Sequence, residues 1–172
     1  DGGRCAQVCF SGALEVCGFE ADVDRVLFEV MQDEAYYARS GGGVTLSGGE
    51  VLLQPAFALD LLRALRARGV HTAIESNLNV PFSVLEPLLP ELDAVMCDLK
   101  TWDDGLHRKY TGVSNARIKE NIARLKETGV PVIVRTPVIP GVNDRPEEIS
   151  AIAAFAAQLP NLLYYELLNF NP

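Results

Sequence analysis

Five short apolar runs alternate with stretches whose apolar residues recur at helical spacing, and nothing else in the chain constrains its fold as much. The runs are Val44–Ser47, His71–Glu75, Ala94–Leu99, Val132–Thr136 and Leu162–Leu168. Val23, Val26, Leu27, Val30 and Met31 keep a helical period. So do Phe57, Leu61, Leu62 and Leu65, with Pro55 near their start and Gly69 beyond their end. Ile118, Ile122 and Leu125 form a third face, closed by Gly129, and Ile149, Ile152, Ala153 and Ala156 a fourth, opened by Pro146-Glu147-Glu148. A weaker pattern over Phe82–Leu89 is broken by prolines. Strand followed by helix, repeated, predicts a parallel sheet with right-handed crossovers. The runs are nearly all apolar, as strands covered on both faces are.

The residues after each run are SGGE, ESN, DLK, RTP and NFN. Polar and charged groups therefore collect at the carboxyl ends of the strands, the edge where α/β sheets and barrels bind ligands. A closed eight-stranded barrel takes roughly 250 residues. Five strands in 172 residues predict a partial barrel or a piece of a larger one.

Composition excludes some functions. The net charge of −8, from 15 basic and 23 acidic residues, argues against a nucleic-acid partner. No run of about 18 apolar residues exists, so no membrane span is expected. No signal peptide is read at the start, and a cytoplasmic protein is expected. The chain opens at Asp1 without methionine, so an upstream segment is expected. Cys5, Cys9 and Cys17 crowd the first 17 residues, and Cys97 alone follows, too few for a larger disulfide framework. Cys97, inside an apolar run, reads as a small buried hydrophobe.

The segment GGGVTLSGGEVLLQ, residues 41 to 54, contains LSGGE, the form of a transporter-ATPase signature loop. Such an ATPase needs an upstream G-x-x-x-x-G-K-[ST], and none precedes Leu46. The glycines have a simpler use. Gly48 and Gly49 at a strand end let a ligand approach the backbone and permit positive φ. Glu50 offers a carboxylate to a cationic group; a tight turn with a solvated Glu explains the segment alone equally well.

GGGVTLSGGE, Glu75-Ser76-Asn77, Val95–Lys100, Thr111–Asn115 and Val134–Asp144 come in that order, and SGGE, DLK and IPGxND sit at strand ends. This series closely resembles the activating enzymes of glycyl radical enzymes, the pyruvate formate-lyase activating enzyme family of radical S-adenosylmethionine (SAM) proteins. The resemblance implies a partial (β/α)6 TIM-like barrel, here without its first strand and C-terminal end. It implies an activase that reductively cleaves SAM at a 4Fe-4S cluster. The resulting 5′-deoxyadenosyl radical takes a hydrogen from a glycine loop of a partner glycyl radical enzyme. Flavodoxin or ferredoxin would supply the electron.

The same resemblance assigns residues. Gly48, Gly49 and Glu50 match the part that receives the methionyl ammonium. Asp98, Leu99 and Lys100 match DLK, with Asp98 toward hydroxyl or ammonium groups and Lys100 toward the carboxylate; a surface ion pair between the two is the alternative. Arg135, inside an apolar run, needs a partner, and a ligand carboxylate would serve. Asn171 stands where relatives often have histidine. Glu75, Ser76 and Met96, with Asp98, fall where some relatives bind a monovalent cation.

The C-x-x-x-C-x-x-C cluster motif of the family is absent from the chain. Cys5 and Cys9 instead resemble the end of a ferredoxin-type run, with Asp1–Arg4 where two earlier cysteines belong. Residues 1–18 would then be the tail of an iron–sulfur insert holding an auxiliary cluster, and 19–172 the barrel core; free thiols at a terminus are the alternative. Cys17 has no assigned role. His71 and His107 read as surface or helix-cap residues and Trp102 and Tyr110 as packing near the site; Thr111–Asn115 shapes the partner-peptide side or, equally well, is a turn with a helix cap. Two rival functions use the same residues: a barrel lyase or aldolase with Lys100 as Schiff base, and a non-catalytic ligand-binding module.

Overall fold

The computed structural model describes residues 3–169. A single helical turn, α1 (Arg4–Gln7), is followed by a segment without helix or strand, and the first buried residue among the described ones is Leu27. Then come α2 (Val23–Val30), α3 (Glu34–Ser40), β1 (Gly43–Leu46), α4 (Pro55–Arg66), β2 (His71–Ser76), α5 (Phe82–Leu85), β3 (Ala94–Asp98), α6 (Asp104–Thr111), α7 (Ala116–Leu125), β4 (Val132–Val138), α8 (Pro146–Ala156) and β5 (Leu162–Asn169). Short 3-10 turns cover Met31–Asp33, Val51–Leu53 and Glu86–Glu91.

All five expected strands form, each within two residues of its expected ends. They make one parallel sheet in the order β1-β2-β3-β4-β5. Sequential order means every crossover steps to the adjacent strand. Right-handed crossovers then put the helices on one face and curve the sheet into an open, partial barrel. The helix-facing residues carry the core: Ile74, Val95, Cys97 and Val134 are fully buried, as are Leu62 of α4, Ile122 of α7 and Ile152 of α8. Each such side chain contributes about 1.5–3 kcal/mol on leaving water. Cys97 sits in the core as expected, and burial pushes its thiol pKa far up.

Local signals explain the helices. Pro55 and Pro146 open α4 and α8 at the first turn, where a missing N–H does no harm. Asp22 and Asp103 cap α2 and α6 by accepting from Arg25 N and Leu106 N. Prolines limit the Phe82–Leu89 segment to one α-helical turn and a 3-10 extension. Besides the single turn α1, two helices were not read from sequence, α3 and α6. Neither has an apolar stripe: α3 buries no residue, and α6 buries only His107.

Of the two expectations for His107, a surface or a helix-cap residue, burial rules out the first. It is 2% exposed, and its Nδ1 lies 2.7 Å from Val113 O, closing the turn after α6. Tyr110 corrects another, being exposed rather than packed. Trp102 does pack, with its ring 5.6 Å from that of Phe155 and the Lys119 ammonium over its face. No described helix is long and apolar enough to cross a membrane.

Candidate functional site

Beyond β1 the chain turns through Gly48, whose φ of 121° strains any residue with a side chain. A Cβ built on Gly48 or Gly49 would meet no atom within 4 Å, so both glycines border open space. Glu50 then turns back toward β2. Its Oε1 accepts from Leu52 N at 3.1 Å and Ser76 Oγ at 2.7 Å, and its Oε2 from Asn77 N at 3.0 Å. The carboxylate thus caps the Val51–Leu53 turn and ties the β1 loop to the end of β2. A carboxylate has about four acceptor positions, so one on Oε2 stays open.

The next charged groups stand on the face of the sheet opposite the helices. Register places Glu75 beside Met96, and Asp98 beside Arg135, which in turn neighbours Glu166. Arg135 Nη2 donates to Glu75 Oε1 at 2.6 Å, Nη1 lies 3.8 Å from Met96 Sδ, and Nε lies 3.5 Å from Asp98 Oδ1. Lys100 Nζ donates to Asp98 Oδ2 at 3.0 Å. Burial opposes the Arg135 charge. The hydrogen bond to Glu75 and the charges of Asp98, Glu75 and Glu166 outweigh it and raise its pKa further above the usual range.

Gly48, Gly49, Glu50, Glu75, Asp98 and Lys100 line one cleft of about 250 Å³, together with Ser47, Ser76 and Asn77. Three acidic side chains against Lys100 and Arg135 leave it net negative. Lys100 is the most accessible cation, with 41% of its side chain exposed. Asp98 Oδ1 and Arg135 Nε are buried without a hydrogen-bond partner; their 3.5 Å contact is an ion pair and not a hydrogen bond. A hydroxyl or ammonium donating to Asp98 would satisfy one of them.

Several expected residues stand differently. Arg135 has protein carboxylates as partners, so the ligand carboxylate expected for it is not required. The expected cation ligands Glu75 and Met96 both meet the Arg135 guanidinium. Leu99 is fully buried in the core, with its N–H bonded to Arg135 O and its carbonyl to Thr136 Oγ1; its side chain does not line the cleft. Asn171 lies outside the described residues. Cys5, Cys9 and Cys17 are free thiols, and Ser11 and the Leu14 amide hold the Cys9 pKa below the usual value. No group of three or more Cys, His, Asp or Glu among the described residues could hold a metal. With no C-x-x-x-C-x-x-C in the chain, these residues do not fit a 4Fe-4S cluster. Asn115, Asn143 and Glu148, which the sequence placed in the Thr111–Asn115 stretch, in IPGxND and at a helix start without linking them to the site, reach the loop carrying Lys100.

Comparisons with known proteins place the chain in a family. The family described as "Radical SAM superfamily" matches residues 10–155. The isethionate sulfite-lyase activating enzyme of Oleidesulfovibrio alaskensis is 49% identical over 169 residues, covering 97% of this chain and 54% of that protein. The pyruvate formate-lyase 2-activating enzyme of Escherichia coli is 45% identical over 138 residues, covering 80% of this chain and 47% of that protein. The chain thus spans about half the length of the curated relatives it matches. A solved domain of a pyruvate-formate lyase-activating enzyme from Bacteroides vulgatus superposes with a TM-score of 0.70 at 34% identity, over 76% of this chain and 81% of that one. The chain belongs to the radical SAM superfamily, among relatives that are activating enzymes.

Proposed function

We propose that this chain is the SAM-binding core of an activase that installs a glycyl radical on a partner enzyme. The observation that carries the reading is the meeting of Gly48–Glu50 with Asp98 and Lys100 in one net-negative cleft at the carboxyl ends of β1 to β3. SAM carries a sulfonium, an ammonium and a carboxylate, so its net charge complements that cleft. Gly48 and Gly49 leave room for the amino-acid end against the backbone. The open acceptor of Glu50 suits the ammonium, Lys100 suits the carboxylate, and Asp98 Oδ1 suits a hydroxyl. Bound SAM, reductively cleaved, supplies the radical that takes a hydrogen from the partner's glycine.

The Cys5 and Cys9 thiols do not fit the catalytic cluster, so no step is assigned to them. A flavodoxin or ferredoxin donor and a glycyl radical enzyme partner belong to the same proposal. The aldolase rival fares worse. Lys100 Nζ is already engaged by Asp98 Oδ2 at 3.0 Å.

The test is calorimetry of SAM and S-adenosylhomocysteine with the full-length protein, wild type and Lys100→Met. The expected result is binding of both ligands, weakened about tenfold or more in the variant, on the order of 1.4 kcal/mol. Unchanged affinity in Lys100→Met would place the carboxylate elsewhere.

A further inference from the structure

The loop from Leu99 to Asp103 has no regular secondary structure, yet every carbonyl from Leu99 to Trp102 is held by a side chain from another element. Thr136 Oγ1 of β4 donates to Leu99 O at 2.7 Å. Asn143 Nδ2 donates to Lys100 O at 2.6 Å. Asn115 Nδ2, before α7, donates to Thr101 O at 2.8 Å and Trp102 O at 3.1 Å. Glu148 Oε2 of α8 accepts from Trp102 N at 2.8 Å and Asp103 N at 3.2 Å. Asn115, Asn143 and Thr136 are at most 1% exposed, and Glu148 is 7% exposed. Leu99 and Thr101 are themselves buried, so the loop's carbonyls need protein partners, and four buried polar side chains fix its path by supplying them.

Asn143 is the member with the widest reach. Besides Lys100 O, its Nδ2 donates to Pro137 O at 2.7 Å, and its Oδ1 accepts from Ile139 N at 2.7 Å. It therefore fastens the loop after β3 to the loop after β4 at the residue whose side chain enters the cleft. At 1% exposure it cannot touch a ligand itself.

We infer that Asn143 is a positioning residue that fixes the Lys100 backbone so that its ammonium meets the carboxylate of the bound amino-acid group. This rests on the SAM-binding reading above. Removing the clamp leaves Lys100 present but free to wander. Affinity then falls for ligands that use Lys100 and only for those.

A double-mutant cycle on the full-length protein tests this, with Asn143→Ala, Lys100→Met and both together. Two probes are titrated by calorimetry. S-adenosylhomocysteine carries the amino-acid group, and 5′-methylthioadenosine lacks it. The expected result is that Asn143→Ala weakens S-adenosylhomocysteine about tenfold, a size that coupled neighbours reach. The same substitution changes nothing further once Lys100 is Met, and 5′-methylthioadenosine binds all variants alike. Asn143→Asp keeps the acceptor for Ile139 N but turns both donors into carboxylate oxygens. It must show the same Lys100-dependent loss, and it decides alone if Asn143→Ala does not fold. Equal losses with and without Lys100, equal losses for both probes, or no loss at all each overturn the positioning role. Failure of the wild-type protein to bind S-adenosylhomocysteine is a separate signature. It overturns the functional reading, and the positioning role with it.

Discussion

Arg135 Nη2 of β4 and Glu75 Oε1 of β2 lie 2.6 Å apart, joined over the top of β3. The arginine is only 16% exposed in its side chain and also faces Asp98 at 3.5 Å. Removing one partner from a half-buried pair leaves the other charges uncompensated. Arg135→Leu exposes Glu75, Asp98 and Glu166 to one another and should lower unfolding free energy by roughly 2–4 kcal/mol. Glu75→Gln, which leaves Asp98 in place, should lower it by about 1 kcal/mol. Urea unfolding near neutral pH measures both. Equal losses would mean that Asp98 does not share the guanidinium.

The same pair bears on the monovalent-cation reading. The guanidinium already neutralises Glu75 and touches Met96 Sδ, so an inorganic cation has to displace it. The ligand-free protein should therefore melt at the same temperature in potassium chloride and in tetramethylammonium chloride of equal ionic strength. A potassium-specific rise in the midpoint of the wild-type protein would show that the ion competes successfully, and the cation reading of Glu75 and Met96 would stand.

Gly43 is fixed by its neighbour strand rather than by its dihedral angles. A Cβ there would lie 1.8 Å from His71 O, its pairing partner on β2. Backbone cannot yield as a flexible side chain does. Gly43→Ala must splay β1 from β2 and should cost about 1–3 kcal/mol, the usual range for forced overpacking. Gly49→Ala, where a Cβ meets nothing within 4 Å, is the control and should leave stability within about 0.5 kcal/mol. Similar losses at the two positions would refute the close approach.

The strands were legible because each is a bounded apolar run, and the polar tails SGGE, ESN and DLK meet around one cleft at the carboxyl ends of their strands. What was not legible depends on register or on distant partners. Arg135 plainly needed a carboxylate, but only the pairing of Asp98 with Arg135 and Glu75 with Met96 shows that the protein supplies it. Glu148 looked like a helix-start acid, yet it serves amides 46 and 45 residues away. No local spacing encodes such a bond. The helix α6 escaped notice because its sequence, DGLHRKYT, turns almost wholly to solvent.

Leu78 has φ 55°, the only positive φ of a non-glycine residue among the described residues, and its side chain is fully buried. That conformation carries strain of about 1–3 kcal/mol and persists only where neighbours enforce it. Ser76 Oγ accepts from Leu78 N at 3.0 Å, and Asn121 Nδ2 donates to Leu78 O and Val80 O, each at 2.8 Å. Asn121→Leu strands two carbonyls and should destabilise by roughly 2–4 kcal/mol. Because Ser76 also holds Glu50, hydrogen exchange should rise at Asn77 as well as at Leu78. Protection unchanged at both amides would show that Ser76 alone maintains the turn.

Asp104 gives the fold an acid limit that can be located. Its carboxylate accepts from Ser114 Oγ, from Arg108 Nε at 2.8 Å and from Asn115 N at 2.9 Å, joining the start of α6 to the start of α7. The Ser114 bond, with that of Arg108 next, brings its pKa from the usual 3.8 down to about 2. A carboxyl depressed in the folded state adds stability that is complete above its unfolded pKa and disappears as pH falls through its folded one. The window here runs from about 4 down to about 2. Asp104→Asn removes the charge at every pH. The thermal midpoint of the wild-type protein should therefore exceed that of Asp104→Asn by a constant amount above about pH 5, and the gap should close by about pH 2. A gap that persists at pH 2 would mean that Asp104 acts by shape and neutral hydrogen bonds. Loss of the gap should coincide with faster hydrogen exchange at Asn115, whose amide the carboxylate holds and whose side chain steadies Thr101 and Trp102.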